Sequence, residues 1–89
     1  MKKITLELAD LPLGFELAKA EADAVARREG NESMLLAWYD AARNVGYPEA
    51  RECTRNRPNW EVYAENYGAN LRVEVNEGAY VFLFLVEAA

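Results

Sequence analysis

The chain is short, at 89 residues, with a net charge of −5, one cysteine and no histidine. The acidic balance disfavours a nucleic-acid or acidic-membrane partner, and the missing histidine removes the commonest general base and metal ligand. A lone cysteine forms no intramolecular disulfide, which fits a reducing cytoplasm.

Ordinary apolar and charged content predicts a single folded globular domain over residues 1–89, with one core. Met1-Lys2-Lys3 is basic, but Glu7 and Asp10 follow and no long apolar stretch does, so it does not read as a signal peptide. The apolar run near the C-terminus is too short to cross a bilayer as a helix. The expectation is a soluble cytoplasmic protein without a membrane partner, cofactor or bound metal.

The first element is a strand at about Lys3 to Leu8, where Ile4, Leu6 and Leu8 alternate with Thr5 and Glu7. Asp10-Leu11-Pro12 ends it. A helix follows from Phe15 to Glu29. Glu16 falls in its first turn and Arg27 and Arg28 in its last, the order that suits the helix dipole, and Gly30 stops it. Phe15, Ala18, Ala22 and Val25 share one face, and the many alanines make a narrow helix that a sheet can approach closely.

Met34 to Asp40 reads as a second strand, with Leu36 and Trp38 facing inward and Ala37 and Tyr39 opposite. Residues 41–58 form a long connector without clear periodicity, a length that in a compact domain is often functional or else partly disordered. Asn59 to Asn66 reads as a third strand, because Trp60, Val62 and Ala64 alternate with Glu61, Tyr63 and Glu65. Tyr67-Gly68-Ala69 turns the chain into a fourth strand, Asn70 to Val75. Glu77-Gly78 then turns it into the last.

That last strand, Val81 to Val86, does not alternate. Phe82 and Phe84 point one way, and Val81, Leu83 and Leu85 the other. Leaving three such side chains in water forgoes about 5 kcal/mol, comparable to the stability of a small domain. The strand is therefore predicted to lie inside the sheet with both faces covered. A two-residue turn at Glu77-Gly78 pairs Val75 with Tyr80, whereas a three-residue loop pairs Val75 with Ala79 and flips the faces. The first register is favoured; it puts Val73 and Val75 on the face of Phe82 and Phe84, against the helix.

These elements predict an α+β fold: one helix packed on a mostly antiparallel five-stranded sheet, in the order β-α-β-β-β-β. Placing the first strand beside the last gives the spatial order 2-3-4-5-1. One helix covers one face only, so the opposite face is expected to be open.

Candidate chemistry is sparse. The connector gathers Arg43, Arg51, Arg55 and Arg57 against Glu49 and Glu52. Arginine forks suit anions, so Arg51, Arg55 and Arg57 form a candidate anion-binding set; the plainer account is a solvated loop pairing with nearby glutamates. Cys53 lies between Arg51 and Arg55, and cationic neighbours favour a reactive thiolate, although no histidine is available to pair with it. Glu61, Glu65 and Glu74 fit a solubilising sheet face better than a desolvated acid/base pair. Trp38, Tyr39, Trp60, Tyr63 and Tyr67 could stack bases, but such platforms sit in basic grooves and these strands are acidic.

Two blocks of sequence carry a resemblance. One is Met34-Leu35-Leu36-Ala37-Trp38-Tyr39-Asp40. The other runs from Pro58-Asn59-Trp60-Glu61-Val62-Tyr63-Ala64-Glu65 through Gly68 and Asn70 to Val75-Asn76-Glu77-Gly78 and Tyr80-Val81-Phe82. They resemble a small family of single-domain archaeal and anaerobic-bacterial proteins classed as a domain of unknown function. The resemblance implies no established activity and no catalytic residues.

The functional expectation is a small non-enzymatic interaction domain, a homodimer or the binder of a protein partner, acting through the open sheet face. Val81, Leu83, Leu85 and Tyr63 would form the contact centre, with Glu61, Glu65, Arg72 and Glu74 in a polar rim. Edge-to-edge strand pairing is a competing dimer mode. The alternative is an anion- or nucleotide-binding enzyme or sensor built on the arginine-rich loop 43–57.

Overall fold

Strand alternation and helical stripes place the hydrophobic side chains of this sequence in two separate layers, one on each side of a single sheet. The computed structural model describes residues 1–8, 14–48 and 57–87. The elements are β1 (Lys2–Leu6), α1 (Phe15–Glu29), β2 (Glu32–Asp40), β3 (Val45–Tyr47), α2 (Asn59–Asn66), β4 (Leu71–Val75) and β5 (Tyr80–Glu87). The sheet order is β1-β4-β5-β2-β3. β1 runs parallel to β4, and the other pairings are antiparallel. The class is α+β with a mixed five-stranded sheet.

α1 occupies the expected span, with Ala18, Ala22, Val25 and Ala26 buried. It packs on Leu71, Val73, Val75, Tyr80, Phe82 and Phe84. The hairpin takes the favoured register, with Val75 opposite Tyr80 and Val73 opposite Phe82. Glu77 and Gly78 both have positive φ, as a type I′ turn requires. β5 lies between β4 and β2, so the all-apolar strand is interior as its composition demands.

Three expectations are corrected. Residues 59–66 form a helix rather than a strand, so there are two helices and the order β-α-β-β-β-β does not hold. The fifth strand is β3, which lies within the stretch read as a connector without clear periodicity. With no strand at 59–66 to separate them, β5 pairs directly with β2 and β1 pairs with β4, which replaces the order 2-3-4-5-1.

A bulge in β2 makes a smaller correction. The register with β5 shifts between Leu35 and Ala37, so Leu36 and Ala37 both turn to the same side. Beyond the bulge the alternation is reversed. Trp38 therefore joins Leu35 in the α1 layer, while Tyr39 joins Leu36 and Ala37 on the other face.

Candidate functional site

The second sheet face is not open. α2 lies on it, and Trp60 and Ala64, one helical turn apart, meet Leu36, Ala37, Val81 and Leu83 in a second buried cluster. Trp60 stacks on Tyr39 with ring centroids 5.2 Å apart. Val81 and Leu83, expected at the centre of a contact between proteins, are buried within their own chain. Both faces of β5 are covered, as its unbroken apolar run demands. On this face the covering element is the chain's own second helix.

α2 begins after Pro58, whose carbonyl accepts from the amides of Glu61 and Val62. It ends in a Schellman arrangement: the Ala69 amide reaches the Ala64 carbonyl at 2.9 Å and the Gly68 amide reaches that of Glu65 at 3.1 Å. Gly68 has φ +91°.

Beside the start of α2, on the β4 side, the face carries a network of ion pairs. Arg57 donates through Nε to Glu61 at 3.0 Å, and its other end reaches Glu65. Arg72 on β4 donates to Glu74 at 2.7 Å and to Glu61 at 3.3 Å. Its guanidinium also lies 5.8 Å from the Trp60 ring centre. Lys3 on β1 reaches Glu74 at 3.5 Å. The network thus ties β1, β4, α2 and Arg57, two residues before α2.

Its electrostatics follow from those contacts. The hydrogen bond from Arg72 holds the Glu74 carboxyl below the usual range, against the opposing effect of burial. Burial alone would raise Glu61, yet the hydrogen bonds from Arg57 and Arg72 bring it below the usual range too. The bonds to Glu61 and Glu65 raise the pKa of Arg57. Glu61 and Glu74 therefore remain charged at neutral pH.

Of the candidate anion-binding set, Arg57 is therefore answered by Glu61 and Glu65. Arg51 and Arg55, and the candidate thiol Cys53, lie outside the described residues. Arg43 donates through Nε to Asp40 at 2.7 Å and through its main chain at 3.3 Å. Asp40 is only 2% exposed. This pair borders an open cleft of about 460 Å³ at the start of α1, which Phe15 and Tyr80 also line.

Four of the six expected interface residues keep some exposure: Tyr63, Arg72, Glu74 and Leu85. Arg72 and Glu74 belong to the ion-pair network. Leu85 and Tyr63 lie toward the other end of α2, where two more apolar side chains reach solvent: Met34 at 60% and Tyr67 at 61% exposure. Met34 is the register partner of Leu85. The Gly68 α-carbon approaches Leu85 closely enough that a β-carbon there would sit 3.9 Å from it. Tyr63 and Tyr67 are 4.6 Å apart at their ring centres. Met34 was missed as a surface residue because the bulge, which fixes its face, leaves no mark in the hydrophobic pattern.

Among the described residues no helix is long and apolar enough to cross a membrane. The family model described as a domain of unknown function (DUF5619) matches residues 1–84. An uncharacterized protein of Archaeoglobus fulgidus is 36% identical over 75 residues, which cover 84% of this chain and 79% of that protein. A crystal structure of AF1514, a novel non-family-model protein from the same organism, matches with a TM-score of 0.84 at 33% identity, covering 99% of this chain and 96% of that one. The expected resemblance to a family of unknown function, with an archaeal member, is borne out.

Proposed function

We propose that this chain, which belongs to the DUF5619 family of domains of unknown function, is a non-enzymatic interaction domain that self-associates or docks a protein partner. The observation that carries the reading is a group of apolar side chains toward the C-terminal end of α2: Met34 and Tyr67 are exposed, and Leu85, the register partner of Met34, and Tyr63, its ring beside that of Tyr67, are half-buried. Aromatic residues and methionine are enriched at the centres of protein interfaces, where a polar rim surrounds them. Glu32 and Glu87, paired across β2 and β5, supply such a rim. This group takes the place of Val81 and Leu83 as the contact centre, and keeps Leu85 and Tyr63 in it.

The test is a double variant, Met34→Asp with Tyr67→Ser. Both residues are exposed, so the fold should be retained and circular dichroism should be unchanged. Association is read by light scattering at high micromolar concentration and by pull-down from an extract of the source cells. The wild type should self-associate or retain a partner through this group, and the double variant should lose at least one of these contacts. A wild type that is monomeric and captures nothing would count heavily against the reading.

A further inference from the structure

We infer that the outer edge of β1 pairs antiparallel with the β1 of a second copy of this chain, joining two five-stranded sheets into one. This rests on the interaction reading and names the partner, but it uses a different surface from the Met34–Tyr67 group.

The backbone supplies the first argument. The Lys2 amide donates to the Asn70 carbonyl and the Leu6 carbonyl accepts from the Asn76 amide, so the peptide groups of Lys2 and Leu6 are turned toward β4. By strand alternation those of Lys3 and Thr5 are turned away from it. β1 is the end of the sheet, and among the described residues no strand lies outside it. Its outward donors and acceptors form the template on which another strand adds.

The side chains supply the second argument. A two-fold axis through Ile4 sets Ile4 against Ile4 of the second copy, Lys3 against its Thr5 and Lys2 against its Leu6. In that register Lys3 and Thr5 form the hydrogen-bonded pairs on either side of a close Ile4–Ile4 pair, which matches the outward direction of their peptide groups. No lysine faces a lysine. The lysine charges are also met within the chain, Lys2 by Glu29 and Lys3 by Glu74, so the edge does not repel its own copy and has no unanswered charge calling for an acidic strand.

Coverage supplies the third. α1 packs on β5, β2 and β4, which leaves Ile4 and Leu6 only half-buried at the margin of the α1 layer. A second copy brings the same two aliphatic residues to the same margin.

The experiment is sedimentation equilibrium on the full chain and three variants. Thr5→Pro removes an outward donor without touching the bonds to β4, a placement edge strands tolerate. Thr5→Lys puts a lysine opposite Lys3 of the second copy, while within the chain its register neighbour is Glu74. It should therefore leave the monomer as stable as before and weaken the dimer by about tenfold over its two symmetric pairs. Met34→Asp alters the other surface. A wild-type dimer weakened by both Thr5 variants and retained by Met34→Asp supports the inference. A dimer that survives both Thr5 variants but not Met34→Asp overturns it and leaves the interaction reading standing. A wild type that stays monomeric at high micromolar concentration overturns it as well.

Discussion

Asn70 and Asn76 bracket β4, and each uses both ends of its side-chain amide as a substitute peptide group. The Asn70 side chain accepts from the Val86 amide and donates to the Val86 carbonyl, both at 2.9 Å. The Asn76 side chain accepts from the Leu8 amide at 2.7 Å and donates to the Leu8 carbonyl at 3.3 Å. Asn76 also adopts φ +50°, a conformation asparagine tolerates better than most residues. From the sequence Asn76 reads only as turn material; its second role, fastening the end of β1 to the β4–β5 hairpin, depends on a partner 68 positions away. Asn76→Ala should cost about 2 kcal/mol, from two part-buried hydrogen bonds and an alanine held at positive φ. Asn76→Gly relieves the second effect but not the first. Urea unfolding midpoints of the two variants separate them; a glycine variant as stable as wild type would show that the clamp contributes nothing.

At the scale of the element, α2 shows where pattern reading fails. An eight-residue stretch satisfies a period of two and a period of 3.6 at once: Trp60, Val62 and Ala64 alternate, but Trp60 and Ala64 also lie one helical turn apart. Two signals did favour the helix. Arg57, Glu61 and Glu65 recur at four-residue spacing, and Gly68 stands where a helix needs its left-handed stop. Gly68→Ala should cost about 1–2 kcal/mol from backbone conformation alone, because its β-carbon would meet Leu85 Cδ1 only at an ordinary 3.9 Å. The thermal midpoint of that variant checks this, and no change would mean that the end of α2 does not hold the helix in place. α1, the hairpin register and the interior position of β5 were legible because each depends on local chemistry: charge order and a stop residue, a turn residue, and an unbroken apolar run. The strand order was not, since it follows from whether 59–66 joins the sheet or lies upon it. The expectation that Val81 and Leu83 face a partner fails for the same reason: a helix taken for a strand leaves them apparently bare, whereas both are buried under α2.

For the molecule as a whole, three layers are held together by two apolar clusters and, at the border of one of them, by charge. The network of Lys3, Glu74, Arg72, Glu61, Arg57 and Glu65 links β1, β4 and α2. Glu61 and Glu74 have folded-state pKa values below the usual carboxylate range. A depressed carboxyl contributes stability that is fully present above its unfolded pKa and is lost as pH falls through its folded one. Stability from this network should therefore hold at neutral pH and decline from the ordinary glutamate range downward. Protonating the other carboxylates acts in the opposite direction at first, because it relieves the self-repulsion of a chain with net charge −5. The two effects separate in Arg72→Gln, which takes the strongest donor from Glu74 and one donor from Glu61 and leaves the other carboxylates alone. Relative to wild type, that variant should be less stable at neutral pH, and the gap should close as the solution is acidified below the glutamate range. Thermal midpoints of both proteins across that range are the measurement. A gap that stays constant with pH would mean that Arg72 contributes through its packing on Trp60 rather than through the carboxylates it holds.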